Sequence, residues 1–242
     1  MRDLEGNAVA IVAGMQRLGH VLLDLLYPPR CVGCGQVGMP FCTTCYVAVP
    51  RIKPPFCPLC GKPQERSALC PQCVDRPLDI DGVRSACLFE GALREAIHCF
   101  KYDNVRVLTQ PLGDLLVGFW EQLPCPVDAL VPVPLHKQRL RERGYNQALL
   151  LAQYLGKAVG VPVVRDALSR VRYTASQAHL GARERRENVA GAFRCAMGQL
   201  QGRRVLLIDD VCTTGSTLEA CCMALKLGGA QSVWALTVAR AR

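Results

Sequence analysis

Arg203-Arg-Val-Leu-Leu-Ile208-Asp209-Asp210-Val211-Cys212-Thr213-Thr214-Gly215-Ser216-Thr217-Leu218 is the stretch that decides the fold. An apolar run too short for a helix ends in two adjacent carboxylates, then passes through a small, hydroxyl-rich turn into a helical pattern. Consecutive amides in such a turn form a nest for an anion, and the helix amino terminus adds partial positive charge. Thr213, Thr214, Ser216 and Thr217 offer hydroxyl donors, and Gly215 leaves room for close approach. No glycine-lysine pair is present, so this is not a Walker loop. Two acids beside a phosphate would repel it unless they face another part of the same ligand. A ribose 5-phosphate satisfies that condition, with its vicinal hydroxyls on the acids and its phosphate in the loop.

Outward from this string, short apolar runs alternate with helical stretches. Strands are expected at 83–89, 129–133, 192–195, 205–208 and 233–238, and helices at 92–100, 112–123, 146–158 and 216–227. The alternation predicts an α/β domain over 81–242 with a largely parallel sheet, whose ligands bind beyond the carboxyl ends of the strands.

Cysteines dominate the region upstream. Of 15 in the 242-residue chain, eight lie at one spacing: Cys31/Cys34, Cys42/Cys45, Cys57/Cys60 and Cys70/Cys73. The second two pairs repeat the first two at an offset of 26 to 28 residues. A lone pair could be a redox motif, but four pairs without a βαβ context read as a duplicated metal module over 31–80. Four thiolates close a tetrahedral zinc site with no open position, so the zinc, one ion or two, is structural. Adjacent pairing is favoured by the repeat, and alternate pairing stays open. The glycines after Cys34 and Cys60 allow the tight turn. Gly33 to Gly38 matches a dinucleotide fingerprint in letters, but it follows no strand. Within 1–30, Leu18, Val21, Leu22, Leu25 and Leu26 form an amphipathic helix stopped by Pro28-Pro29, suited to docking on the next domain.

The charge is uneven. The chain carries 29 basic and 20 acidic residues, a net of +9, and residues 136–147 and 165–194 hold most of that excess. Their arginines suit bidentate contact with phosphate oxygens, so the ligand is a polyanion, small or polymeric. No run reaches the roughly 18 apolar residues of a membrane span. The start lacks the features of a signal peptide, which predicts a cytoplasmic location.

Together these motifs resemble the ComF/GntX family, competence-protein-like homologues of type I phosphoribosyltransferases with an N-terminal zinc module. The match rests on residues 209–217, on Val131-Pro-Val-Pro134-Leu-His-Lys-Gln-Arg139-Leu-Arg141-Glu-Arg143-Gly144-Tyr145-Asn146-Gln147, on residues 170–193, and more weakly on Ile97-His-Cys-Phe-Lys101-Tyr102. The resemblance implies binding of phosphoribosyl diphosphate with Mg2+, and transfer or hydrolysis of the ribosyl group. It places Asp209 and Asp210 on the ribose hydroxyls and Val211, Thr213, Thr214, Gly215, Ser216 and Thr217 around the 5-phosphate. Arg139, Arg141, Arg143 and Gly144 would form an arginine-rich turn on the diphosphate, with Lys101 as an extra phosphate contact. Asp209, Asp210, Arg139 and Arg143 would carry catalysis. Thr174, Gln177, Arg185 and Asn188 would belong to a mobile loop that closes the site. Membership also implies a link to DNA uptake and transformation. The alternative is a non-catalytic accessory factor whose basic segments bind single-stranded DNA beside other competence proteins. His98 reads as packing, His136 as a loop residue, and Cys212, Cys221 and Cys222 as core.

Overall fold

The apolar runs become strands buried on both faces, and helices cover each side. The structure, a computed structural model, describes residues 28–123, 126–173 and 182–241. The expected N-terminal helix, Thr174 and Gln177 lie outside the described residues. In chain order, α1 (Thr43–Val47) and α2 (Pro71–Asp75) sit in the cysteine-rich region and precede β1 (Gly82–Leu88), α3 (Gly91–Tyr102) and α4 (Thr109–Val117). There follow β2 (Ala129–Pro132), α5 (Lys137–Arg143), α6 (Gln147–Val159), β3 (Leu168–Arg170), α7 (Ala182–Val189) and β4 (Phe193–Cys195). The chain closes with β5 (Arg204–Cys212), α8 (Ser216–Leu227) and β6 (Ser232–Arg240).

Four strands form one parallel sheet in the order β1-β6-β5-β2. Alternate residues of each strand enter opposite cores. Leu206, Ile208, Leu236 and Val238 pack with Ile97, Leu112, Leu116 and Leu155 of α3, α4 and α6. Val205, Leu207, Val233 and Ala235 pack with Leu218, Cys221 and Leu225 of α8. Cys221 and Cys222 are buried as free thiols, as expected of core residues.

Several boundaries differ from the sequence reading, each for a visible reason. β5 does not stop at Ile208, because pairing with β6 carries it through Asp209 (opposite Thr237) to Cys212 (opposite Arg240). The run at 192–195 leaves the main sheet and forms an antiparallel pair with β3. The helix expected over 112–123 begins at Thr109, ends at Val117 and continues as a 3-10 turn over Trp120–Gln122.

The cysteine-rich region is fastened along β1. The Ile52 amide donates to the Ala86 carbonyl (2.9 Å), and the Leu88 amide to Pro50 (2.9 Å). Gly61, at φ +73°, lies so close to the sheet that a Cβ there would stand 2.4 Å from the Val83 carbonyl oxygen. Gly35 occupies the equivalent turn at φ +77° with open space around it. Gly35→Ala should therefore cost only the left-handed backbone penalty of about 1–2 kcal/mol. Gly61→Ala adds a backbone clash and should cost about 3 kcal/mol or more. Urea unfolding of the two zinc-loaded variants checks the difference, and equal losses would contradict it.

Candidate functional site

Beyond the carboxyl ends of β2 and β5 lies a cavity of about 290 Å³. From β5 and the turn into α8 come Asp209, Asp210, Val211, Thr213 and Thr217; from α5, Arg139 and Arg143; from α3, Lys101 and Tyr102. Arg170 of β3 and Arg185 of α7 complete its basic lining, so five cationic side chains face two carboxylates. Segments far apart in sequence, from Lys101 to Thr217, thus meet on one ligand-sized space.

Local chemistry shapes each wall. The expected arginine-rich turn is instead a short helix, α5, because His136 caps its start and Gly144, at φ +73°, ends it. The Gln138 amide donates to His136 Nδ1 at 3.3 Å, which gives His136 a capping role. Asn146 then caps α6, accepting from the Ala148 amide at 3.0 Å. Arg143 lies 5.0 Å over the Tyr102 ring and donates to Gln147 Oε1 at 3.2 Å. Gln147 and Tyr145 both donate to the Phe100 carbonyl, which locks the end of α3 against α6. Cation, ring and amide therefore hold one another in place.

Electrostatics set the carboxylates apart. Lys101 Nζ pairs with Asp210 Oδ1 at 2.7 Å, and Asp210 is buried. Lys101 is thus engaged with an acid, where the sequence reading assigned it to phosphate. Burial, and then the neighbouring Asp210 charge, push the Asp209 carboxyl up to about 7. Burial, and then the Arg139 charge, press Arg170 below its ordinary value. Positive charge is crowded here, and an anion would relieve the crowding.

Not every expected residue meets the cavity. Arg141 is exposed on α5 and absent from the lining, and the Gly144 carbonyl accepts from Arg106 at 3.3 Å. The Thr214 and Ser216 hydroxyls lie 2.8 Å apart, and Gly215, at φ +83°, supplies the turn before α8. The Asn188 carbonyl accepts from Arg172 at 3.1 Å. The region around Arg185 and Asn188, expected as loop, is helical in α7. His98 is exposed, with its ring 4.8 Å from that of Tyr102, and does not pack in the core. Tyr102, Gln147 and Arg170 stand in the matched stretches, the last at the start of the expected closing segment, but have no role of their own in the sequence reading, and the fold brings all three to the cavity.

Upstream, the cysteines gather as adjacent pairs: Cys31, Cys34, Cys42 and Cys45 in one cluster, Cys57, Cys60, Cys70 and Cys73 in the other. All four sulfurs of each cluster lie within 4.8 Å of one another. Tetrahedral zinc with bonds of about 2.3 Å requires sulfurs about 3.8 Å apart. The Cys34–Cys42 and Cys60–Cys70 sulfurs are 3.7 and 3.6 Å apart. The Cys42 amide donates to Cys31 Sγ (3.3 Å) and the Cys70 amide to Cys57 Sγ (3.5 Å). Burial raises both acceptor thiols, but donated amides outweigh it and bring Cys31 down to about 6 and Cys57 to about 7. Burial and the neighbouring sulfurs push Cys45, Cys60 and Cys73 up instead, so one thiol in each cluster ionises first, and it is the spacing of the four sulfurs that fits structural zinc.

The double zinc ribbon family matches residues 22–74, and the phosphoribosyl transferase domain family matches residues 143–242. Competence protein F of Haemophilus influenzae is 33% identical over 223 residues, covering 88% of this chain and 97% of the relative. The chain belongs to the ComF/GntX family. DNA utilization protein YhgH of Salmonella typhi is 34% identical to this ComF-family chain (81% and 88% covered), and competence protein ComFC of Bacillus subtilis is 30% identical (82% and 83%). Among solved structures, adenine phosphoribosyltransferase of Leishmania tarentolae is similar at 19% identity and a TM-score of 0.35, covering 56% of this chain and 58% of that one. No helix among the described residues of the ComF-family chain is long and apolar enough to cross a membrane.

Proposed function

We propose that the cavity binds phosphoribosyl diphosphate with magnesium and that the protein transfers or hydrolyses the phosphoribosyl group. The observation that carries this is the meeting, around one cavity, of Asp209 and Asp210 with Thr213, Thr217 and the basic residues of α5. Asp209 and Asp210 accept hydrogen bonds from the ribose hydroxyls, and the turn into α8 takes the 5-phosphate. Arg139 and Arg143 face the diphosphate across the cavity. When the bond from sugar C1 to the diphosphate oxygen breaks, the electron pair leaves with the diphosphate and C1 becomes cation-like. The two arginines stabilise the charge that grows on the leaving group, Arg170 and Arg185 add positive charge to the same cavity, and C1 is captured by the acceptor nucleophile or, in hydrolysis, by water, which gives up its proton. Bound magnesium would share in neutralising the diphosphate. Calorimetric titration of the zinc-loaded protein with phosphoribosyl diphosphate and magnesium tests the reading, and absence of binding overturns it.

A second reading is favoured by the exposed cations on the outer side of α5, Lys137 and Arg141, next to the basic cavity. Relatives named for competence and DNA utilization make single-stranded DNA a natural ligand for such a surface. Replacing Lys137 and Arg141 with alanine should flatten the slope of log affinity against log salt by roughly 0.7 for each phosphate that is no longer neutralised. An unchanged slope, or affinity independent of salt, removes this reading.

A further inference from the structure

The two zinc ribbons are copies in sequence but not in placement. The first rests on the start of α3, where a Cβ on Gly33 would stand 2.6 Å from that of Ala92, far along the helix from Lys101. The second is fastened beside the phosphate loop. Three consecutive carbonyls in its first turn accept from the sheet: Pro58 from Arg84 Nη1 (3.0 Å), Leu59 from the Val83 amide (2.8 Å) and Cys60 from Arg240 Nη1 (2.7 Å).

Arg240 is the junction. It ends β6, is 4% exposed, and its Nη1 also donates to Cys212 Sγ at 3.2 Å, at the end of β5 where the loop begins. Cys212 is its register partner on β5. One buried guanidinium nitrogen therefore joins the backbone of a zinc ligand to the residue preceding Thr213. A second connection runs through Glu219 in the first turn of α8, also 4% exposed. It accepts from the Asp79 amide (3.2 Å) and pairs with Arg76 (3.0 Å), three residues beyond the ligand Cys73. Leu78 then covers Gly215, with 3.4 Å from its Cδ1 to a would-be Cβ.

We infer that the second ribbon sets the conformation of the phosphate loop through Arg240 as a positioning residue, so that zinc at Cys57, Cys60, Cys70 and Cys73 and an anion in the loop stabilise each other. The first ribbon packs Cys31, Cys42 and Cys45 into the core with Phe100 and Tyr145, and the hydrogen-bonded link to the loop belongs to the second ribbon. The inference rests on the cavity being a phosphoribosyl site. Coupling of binding free energies is reciprocal: what zinc does for the anion, the anion does for zinc. Arg240 is suited to the task because a buried guanidinium tolerates little displacement once its carbonyl partner moves.

The test uses the full protein carrying two zinc ions and ribose 5-phosphate as the probe. Zinc is withdrawn by a colorimetric chelator, and alkylation with mass spectrometry reports which cysteines become free. Saturating ribose 5-phosphate should slow release of Cys57, Cys60, Cys70 and Cys73 by about tenfold and leave Cys31, Cys34, Cys42 and Cys45 unchanged. Arg240→Met, which keeps bulk but can donate neither hydrogen bond, should erase the slowing. Should that variant fail to retain zinc, Glu219→Gln serves in its place, with a smaller loss of protection. Hydrogen exchange of amides 213–218 gives an arm that needs no ligand: it should speed up when the second ribbon loses zinc. Ribose 5-phosphate that binds without protecting the second ribbon overturns the inference alone. Failure of ribose 5-phosphate and phosphoribosyl diphosphate to bind overturns the functional reading, and unchanged exchange then overturns the coupling as well.

Discussion

Asp209→Asn/Asp210→Asn should weaken phosphoribosyl diphosphate binding by two orders of magnitude or more. Hydrogen bonds to charged acceptors contribute about 1.5–3 kcal/mol each, and about 1.4 kcal/mol is a factor of ten. The sign of the effect is what makes the experiment decisive. Removing both acids from a cavity lined by Lys101, Arg139, Arg143, Arg170 and Arg185 makes it more positive. A cavity that were merely a basic sink would then hold any anion more tightly. Inorganic diphosphate serves as the control: it lacks hydroxyls for the acids to hold, so the same double variant should bind it as well as or better than the wild type. Parallel losses for both ligands would contradict the assignment of the acids to ribose. The raised Asp209 carboxyl adds a pH dependence. Hydroxyl donors favour its ionised form, so the ligand lowers its pKa and binding expels a proton at and somewhat below pH 7. Calorimetry in buffers of different ionisation enthalpy should show more proton release in the wild type than in Asp209→Asn.

Complete withdrawal of zinc should lower the thermal midpoint by about 10 °C or more. Structural zinc sites contribute about 10–16 kcal/mol of apparent binding energy, comparable to or above the roughly 5–15 kcal/mol that holds a whole domain together. Part of that energy is regained by the freed thiols in water. A net loss of about 5 kcal/mol still moves the midpoint of a chain this size by 10 °C or more, at about 2–4 °C per kcal/mol. The core of the second ribbon consists of its four cysteines with Leu59 and Leu78 packed against them, too little apolar surface to hold without metal. A zinc-free protein that melts at the holoprotein's temperature would show that these sulfurs are not structural ligands.

What could be read in advance follows from how far each feature depends on neighbours in sequence. The string from Arg203 to Leu218 carries strand, acids, turn and helix start in one contiguous piece, so it named both the fold and the cavity's centre. The cysteine repeat named the ribbons, but adjacent against alternate pairing needed the sulfurs in space. α5 was missed because Lys137 to Arg143 has almost no apolar residue to show a helical period; its caps, His136 and Gly144, are what define it. α7 is hidden for the same reason, being almost wholly polar. Arg170 and Arg240 lay out of reach for another reason. Each sits at a strand end: the register sets Phe193 opposite Arg170 and Cys212 opposite Arg240, and only the packing of β3 against the main sheet brings Arg170 to the cavity.

The segment joining the two ribbons does more than connect them. Pro50 and Ile52 take up backbone groups of β1, and on the opposite margin Pro162 and Val164 do the same for Leu130 of β2. Both outer strands of the sheet are thereby shielded from pairing with a neighbouring molecule, the usual hazard of an open parallel sheet. Because one shield is strung between two zinc-dependent units, a chain starved of zinc should uncover β1 and recruit its own kind, and light scattering that stays unchanged on zinc removal would contradict this.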